Sequence, residues 1–175
     1  MKRGVLFFLA ALIAAGGGYA VHRTNAISTA PIGAGASDPL TASFNDLEGK
    51  PRTLAQWRGQ VLVVNFWATW CPPCLKEIPA FMELQRRLGK SGVQFLGVAL
   101  DGRSEVAAFV RQHELNYPTL AGEEDVARYM QAQGNKIGAL PFTLVFDRAG
   151  ALRHTHQGEW PSAALEKVLT AALTK

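Results

Sequence analysis

Cysteine is scarce in this sequence of 175 residues, which contains two cysteines, Cys71 and Cys74. Two cysteines exclude the disulfide framework of small secreted proteins. Clusters of basic residues are also absent: the formal net charge is +4, and the lysines and arginines are scattered. That distribution argues against a nucleic-acid surface and leaves only a weak preference for acidic partners. With 48% hydrophobic residues and no internal repeat, the chain is suited to one domain with an ordinary buried core.

Charged residues are missing from residues 4–21, which follow Lys2 and Arg3. The most apolar part has the length of a signal-peptide core, and the whole stretch is near the lower limit for a membrane-spanning helix. Basic residues ahead of it would keep the N-terminus in the cytoplasm and direct the rest outward. We expect residues 1–22 to be a signal or anchor segment, with an uncleaved anchor in the cytoplasmic membrane favoured over a cleaved signal. The remainder is expected to be extracytoplasmic or periplasmic.

Residues 23–38 are small and polar, which is typical of a flexible linker, and residues 39–175 alternate between strand and helix patterns. A turn at residues 48–50 indicates a hairpin, and the run VLVVNFWA (residues 61–68) indicates a strand buried on both faces. Further strands are expected at residues 93–100 and 117–122, and residues 141–158 are expected to form two strands joined by a turn at residues 147–150. Helix patterns cover residues 73–92, which end in a glycine stop, and residues 104–115, 123–134 and 162–173. This order predicts an α/β fold, a mixed sheet with helices on its faces.

The motif CPPC lies where the buried strand ends and a helix begins. Backbone N–H groups and the helix dipole at such a position favour a thiolate at Cys71. Pro72 and Pro73 suit the first helical turn and stiffen the loop between the sulfurs. Cys74 is one turn further on and is expected to be shielded by the helix. An exposed, activated sulfur beside a sheltered one is what thiol–disulfide exchange requires.

Two other interpretations of the cysteines stay open. A structural disulfide across so short a loop would add little stability. A metal site needs further ligands, because one C-x-x-C supplies two. His154 and His156 alternate on a predicted strand and share a face, so a metal-binding or metallochaperone module using the same thiols is the alternative function.

Two segments, NFWATWCPPC and GALPFTLVFDRAG, resemble the thioredoxin superfamily, and most closely its TlpA/ResA-like branch of membrane-anchored extracytoplasmic thiol–disulfide oxidoreductases. The resemblance covers about residues 39–175. It implies a thioredoxin fold with a central mixed β-sheet flanked by helices. An N-terminal β-hairpin and a helix–strand insertion between residues 101 and 134 complete the expected fold. We expect no cofactor and no metal.

The resemblance also implies roles for individual residues. Cys71 would attack a client disulfide, and Cys74 would resolve the mixed disulfide. Pro141 would be a cis-proline facing the cysteines, with Leu140 before it offering backbone hydrogen bonds to a substrate peptide. Trp70, beside the motif, is expected to be a contact surface for clients. The predicted substrate-binding residues are therefore Trp70, Pro72, Pro73, Leu140 and Pro141.

One position departs from thioredoxin, where the resemblance implies a buried aspartate that helps deprotonate the resolving cysteine. Asn65 stands there and cannot titrate. Glu77, three residues after Cys74, lies on the same helix face and matches the glutamate of the TlpA/ResA-like branch. Burial would raise its pKa toward the range of a proton shuttle. Asp101, after a strand, is expected to cap the next helix.

The sequence thus predicts a protein-disulfide oxidoreductase, with Cys71, Cys74 and Glu77 as catalytic residues. Its partners would be exported proteins with cysteine pairs, as in cytochrome c or copper-site maturation. A reductant delivered across the membrane would be required, because the compartment is oxidising. Peroxide reduction is disfavoured, because that chemistry wants a threonine at the position of Ala68.

Overall fold

Residues 38–174, which the computed structural model describes, form one seven-stranded β-sheet with helices on both of its faces. The predicted anchor, residues 1–22, and all but the last residue of the predicted linker, residues 23–38, lie outside the described residues. Within residues 38–174, no helix has the length and apolar character needed to cross a lipid bilayer.

The elements follow the predicted alternation of strands and helices. The strands are β1 (Ser43–Asp46), β2 (Pro51–Thr53), β3 (Val61–Trp67), β4 (Val93–Leu100), β5 (Thr119–Gly122), β6 (Phe142–Phe146) and β7 (Leu152–Gln157). The α-helices of the described residues are α1 (Pro72–Leu88), α2 (Arg103–Gln112), α3 (Glu124–Ala132) and α4 (Ser162–Leu173). Short 3₁₀ turns occur at Pro39–Thr41, Leu54–Trp57 and Gly89–Ser91.

The strand order is β2-β1-β5-β4-β3-β6-β7. Strands β3, β4 and β5 are parallel, and the pairs at both edges are antiparallel. The sheet is therefore mixed, and the fold class predicted from the sequence is confirmed. The N-terminal hairpin is present, with Gly49 at φ +83° in its turn, where glycine meets no Cβ penalty. Residues 101–134 supply α2, β5 and α3.

Strand β3 is the centre of the fold, because all seven of its residues are buried. Its alternate residues enter different cores. Leu62, Val64 and Phe66 pack on the face covered by α3. The residues that alternate with them pack against α1 and α4 near the start of the strand, and against α2 near Trp67 at its end. Burial on both faces explains the continuous apolar run that identified the strand.

Helix α2 ends earlier than the helix pattern predicted. The pattern extended to Leu115, but the helix ends at Gln112. Glu114 then takes a left-handed conformation with φ 49°, and the Leu115 N–H donates to the Val110 carbonyl instead of continuing the helix. The spacing of apolar residues along the sequence does not predict this turn.

The loop from α3 to β6 is held by one buried side chain, Asn135. Its Nδ2 donates to the Ala139 carbonyl at 2.7 Å, and its Oδ1 accepts from the Ala139 N–H at 3.0 Å. Asn135 is fully buried, whereas Ile137 at the tip of the loop is 83% exposed. Both hydrogen bonds close the loop on itself immediately before Leu140.

We predict that Asn135→Ala lowers the free energy of unfolding by about 1–3 kcal/mol, because Ala139 loses both of its side-chain partners. Chemical denaturation of the oxidised protein measures this change. Gln131→Ala, at an exposed position of α3, is the control and is expected to change stability by less than about 0.5 kcal/mol. Equal effects of the two substitutions would show that the Asn135 bonds do not stabilise the loop.

Candidate active site

The cysteines lie at the junction of β3 and α1, at the C-terminal end of the central strand. Cys71 is the N-cap of α1, and Pro72 and Pro73 occupy its first two positions, as predicted. Because neither proline has an N–H, the first free backbone donor of the helix belongs to Cys74. Cys71 and Cys74 are joined as a disulfide, with their Cα atoms 5.3 Å apart.

Cys71 is much less exposed than the sequence suggested. Cys71, whose sulfur was expected to be exposed, is 4% exposed, and Cys74 is 0% exposed. The difference has the predicted direction, but both cysteines pack into a cluster with Trp67, Ile78 and other residues. In the disulfide state, therefore, the small solvent-accessible part of the pair belongs to Cys71.

An unexpected contact fixes the chain just before the motif. The Asp101 carboxylate accepts hydrogen bonds from the Thr69 N–H at 3.1 Å and from the Thr69 hydroxyl at 2.5 Å. The expectation that Asp101 caps α2 is wrong: the N-cap is Gly102, and no side chain caps it. Because Asp101 directly follows β4, which pairs with β3, its carboxylate is within reach of the turn that carries Trp70 and Cys71.

The second predicted segment also reaches the disulfide. The Leu140–Pro141 peptide bond is cis, and the half-buried Leu140 side chain packs against the cluster that contains both cysteines. Trp70, on the other segment, is 64% exposed. Pro72 and Pro73 are exposed too, whereas Pro141 is buried. The predicted contact residues thus lie on two chain segments that meet at the cysteines; their role in binding stays a prediction.

Glu77 lies one turn after Cys74 and is 3% exposed. Its two oxygens accept hydrogen bonds from neutral donors, Asn65 Nδ2 at 2.8 Å and the Trp160 N–H at 3.1 Å. Burial, the largest effect, raises its pKa from 4.5 to about 7, although both hydrogen bonds act in the opposite direction. The carboxyl group is therefore able to gain or lose a proton near neutral pH.

Other titratable groups surround Glu77. Glu159 raises its pKa by charge repulsion and is paired at the surface with Lys76 at 2.9 Å. Tyr117 is buried, and desolvation followed by the charge of Glu77 raises the pKa of its hydroxyl far above the usual range. Tyr117 thus stays protonated, which leaves Glu77 as the buried acid that titrates near neutrality.

The two histidines considered for a metal site lie on β7. His156 stacks on Trp160, with ring centroids 4.5 Å apart, and its Nε2 is 3.2 Å from the Glu159 carbonyl. His154 is exposed. Within residues 38–174, no three histidine, cysteine, aspartate or glutamate side chains are grouped so as to hold a metal ion.

Three contacts of the site were not foreseen. Asn65 was noted only because it cannot titrate, yet it donates to Glu77. The Trp160 backbone donor carries no sequence signal, since any residue but proline supplies an N–H. Asp101 carried a signal, an acid at a strand end, but its partner Thr69 is 32 residues away in the chain.

We predict that the stability of the oxidised protein falls as the pH rises from about 4.5 to 7. In that range folded Glu77 holds a proton that the unfolded chain has released, so the folded state binds more protons and loses stability with increasing pH. The loss attributable to Glu77 is about 3 kcal/mol in total. Denaturation at pH 4.5 and pH 8 should show this loss in the wild type and not in Glu77→Gln.

The control for this experiment is Glu124→Gln, because the Glu124 side chain is 91% exposed. This variant should keep the wild-type pH dependence. If Glu77→Gln also keeps it, Glu77 does not titrate near neutral pH in the folded protein.

Curated relatives of this chain include thiol–disulfide oxidoreductases. The chain is 29% identical over 172 residues to the thiol-disulfide oxidoreductase ResA of Geobacillus thermodenitrificans, covering 98% of this chain and 86% of that protein. It is 33% identical over 128 residues to ResA of Bacillus cereus, covering 71% and 70%.

Solved structures share the fold. A thiol:disulfide interchange protein of the thioredoxin family from Chlorobium tepidum matches with a TM-score of 0.67 and 28% identity, covering 75% of this chain and 92% of that one. A thioredoxin-related protein from Neisseria meningitidis serogroup B matches with a TM-score of 0.66 and 31% identity, covering 75% and 99%.

A family model extends the same relationship over most of the chain. The AhpC/TSA family model matches residues 35–155, a range that includes the cysteine pair, Glu77 and Pro141. The relatives named above share the oxidoreductase activity that the cysteine pair indicates. The chain therefore belongs to the AhpC/TSA family and is a ResA-like thiol–disulfide oxidoreductase of the thioredoxin superfamily.

Proposed function

We propose that this oxidoreductase reduces disulfides in exported client proteins, with Cys71 as the attacking sulfur, Cys74 as the resolving sulfur and Glu77 as the acceptor of the Cys74 proton. The observation that carries the proposal is the buried Glu77 carboxylate one turn after Cys74. A carboxyl group with a pKa of about 7 is matched to proton transfer at neutral pH.

The reaction begins with the reduced protein. The Cys71 thiolate attacks one sulfur of the client disulfide, and the other client sulfur leaves as a thiolate. Glu77 takes the proton of the Cys74 thiol. The Cys74 thiolate then attacks Cys71 Sγ, which restores the internal disulfide and releases the second client thiolate. The client gains two electrons, and the protein must recover two electrons from a dithiol donor. Because the exterior is oxidising, these electrons must be supplied through the membrane.

The surface around Cys71 suits a peptide client. Trp70 is one of two large apolar side chains that are exposed within residues 38–174, and aromatic side chains of this kind often supply much of the binding energy at an interface. Leu140, on the other side of the cysteines, offers backbone groups to an extended peptide. Apocytochrome c and copper-site assembly proteins, which present paired cysteines, are the client classes proposed.

Export and anchoring are part of the proposal. The uncharged residues 4–21 after Lys2 and Arg3 support an extracytoplasmic domain held at the cytoplasmic membrane. A reductase in that position would be close both to newly exported chains and to a donor in the membrane.

We predict that Cys71→Ser abolishes the reduction of insulin disulfides, because the attacking sulfur is lost. Cys74→Ala, expressed in full-length form with its native export signal, should accumulate mixed disulfides at Cys71, because nothing resolves them. Mass spectrometry of the trapped species identifies the clients. Cys71→Ser that keeps the wild-type rate would disprove the assignment of Cys71, and trapped partners without cysteine pairs would disprove the assignment of clients.

We further predict that Trp70→Ala lowers kcat/KM for insulin reduction by roughly tenfold, equivalent to about 1.4 kcal/mol of lost contact with the client. Since the side chain is mostly exposed, the fold should be unaffected. Exchange with dithiothreitol, which has no polypeptide surface to pack on Trp70, is the control and should keep its rate. A parallel loss with both substrates would place Trp70 in the chemistry and not in client binding.

A further inference from the structure

A row of aligned positions crosses five strands beneath α1. The cross-strand pairs are His156–Thr143, Thr143–Asn65, Asn65–Gly97 and Gly97–Thr119. Residues directly opposite on neighbouring strands point to the same face of a sheet. The row therefore lies on the face that carries Glu77, and Gly97, near its middle, contributes no side chain.

The buried polar side-chain atoms that lack a protein partner within residues 38–174 are Asn65 Oδ1, Trp67 Nε1 and Thr119 Oγ1. Two of them border the space over Gly97. A Cβ placed on Gly97 would lie 2.9 Å from Trp67 Nε1 and 3.3 Å from Thr119 Oγ1. Each buried polar atom without a partner costs about 1–3 kcal/mol, so two of them beside one glycine indicate a shared partner.

The third atom, Asn65 Oδ1, faces the same side. Asn65 Nδ2 donates to Glu77 and, at 3.1 Å, to Thr143 Oγ1 on β6. Because the amide is planar and its nitrogen is turned toward β6, its oxygen is turned toward β4, where Gly97 is the register partner. Asn65 Oδ1 is therefore on the Gly97 side of β3, next to the glycine that Trp67 Nε1 and Thr119 Oγ1 border.

The three atoms together select a small neutral molecule that both donates and accepts hydrogen bonds. Trp67 Nε1 only donates, Asn65 Oδ1 only accepts, and the Thr119 hydroxyl does either. The tryptophan N–H would repel a cation, and the amide oxygen would repel an anion. Water fits this set, and a buried water typically makes about three hydrogen bonds.

We propose that Gly97 creates an internal hydration site, in which one buried water joins Trp67, Thr119 and Asn65 and fixes the Asn65 amide with its nitrogen toward Glu77. Asn65 is then a positioning residue for the Glu77 carboxylate. The importance of this positioning for turnover rests on the proton-accepting role proposed for Glu77. The existence of the hydration site does not depend on that role.

The water would give the Asn65 amide one preferred orientation. If the amide were rotated by half a turn, Oδ1 would face the Glu77 carboxylate and Nδ2 would face the space next to the Trp67 N–H. With the water accepting from Trp67 and donating to Oδ1, the observed orientation is the one in which every group has a complementary partner. In the oxidised protein the titratable groups around Glu77 are Tyr117 and Glu159, which is paired with Lys76, whereas Cys74 is held in the disulfide. None of these groups bonds to Asn65.

The first test is the water itself. A high-resolution crystal structure of the oxidised protein should show one ordered water within about 3.2 Å of Trp67 Nε1, Thr119 Oγ1 and Asn65 Oδ1. Absence of a water bonded to at least two of these atoms overturns the hydration site.

The second test measures the pKa of Glu77 by carboxyl ¹³C NMR in the oxidised protein, without turnover. Thr119→Val removes one partner of the water at nearly constant volume. It should raise the pKa of Glu77 by roughly 0.3–1, because a less fixed Asn65 amide stabilises the carboxylate less. Asn65→Leu removes the donor and should raise the pKa further. Thr155→Val, the same change at an exposed position of β7, is the control.

An unchanged pKa of Glu77 in Thr119→Val, with the control also unchanged, overturns the link between the water and Asn65. Gly97→Ala is a less suitable first variant, because its Cβ would press on the rigid Trp67 ring. Both measurements are independent of catalysis. If they succeed and Glu77→Gln still resolves mixed disulfides at the wild-type rate, the hydration site stands and the proposed role of Glu77 fails.

Discussion

The site depends on the burial of one carboxyl group whose hydrogen-bond partners carry no positive charge. Glu77 is enclosed beneath α1, and its hydrogen-bond partners are an amide and a backbone N–H, both neutral. If a lysine or arginine replaced these neutral donors, it would hold the carboxylate permanently ionised. An apolar pocket without donors would hold the carboxyl group protonated. Burial balanced by two neutral donors places its pKa near neutral pH.

The fold brings this carboxyl group and the disulfide together through contacts from separate parts of the chain. Strand β3 ends at the motif and provides Asn65 beneath α1. The end of β4 fixes the turn before Cys71 through Asp101 and Thr69. The loop held by Asn135 leads to Leu140, which packs against the cluster that contains both cysteines. Each contact restrains a short irregular segment near the reactive pair.

Local features of the sequence predicted much of this architecture. The buried run of β3, the helix of α1 and its two prolines depend on neighbouring residues, and those predictions were confirmed. The expected exposure of Cys71 and the expected capping role of Asp101 were wrong, because both depend on which distant segments pack over the site. Asn65 illustrates the limit: its inability to titrate could be read from the sequence, but its bond to Glu77 is set by the seating of α1 on the sheet.

The contacts of Glu77 also span long stretches of chain. Asn65 and Thr143 are 78 residues apart, and Glu77 and Trp160 are 83 residues apart. The cysteines precede β6, β7 and α4 in the chain. During synthesis, which starts at the N-terminus, both thiols therefore emerge before Thr143 and Trp160 have folded into place around Glu77. The buried surroundings of Glu77 are therefore complete only when the whole domain has folded, and an incomplete chain carries two thiols before that carboxyl group is enclosed.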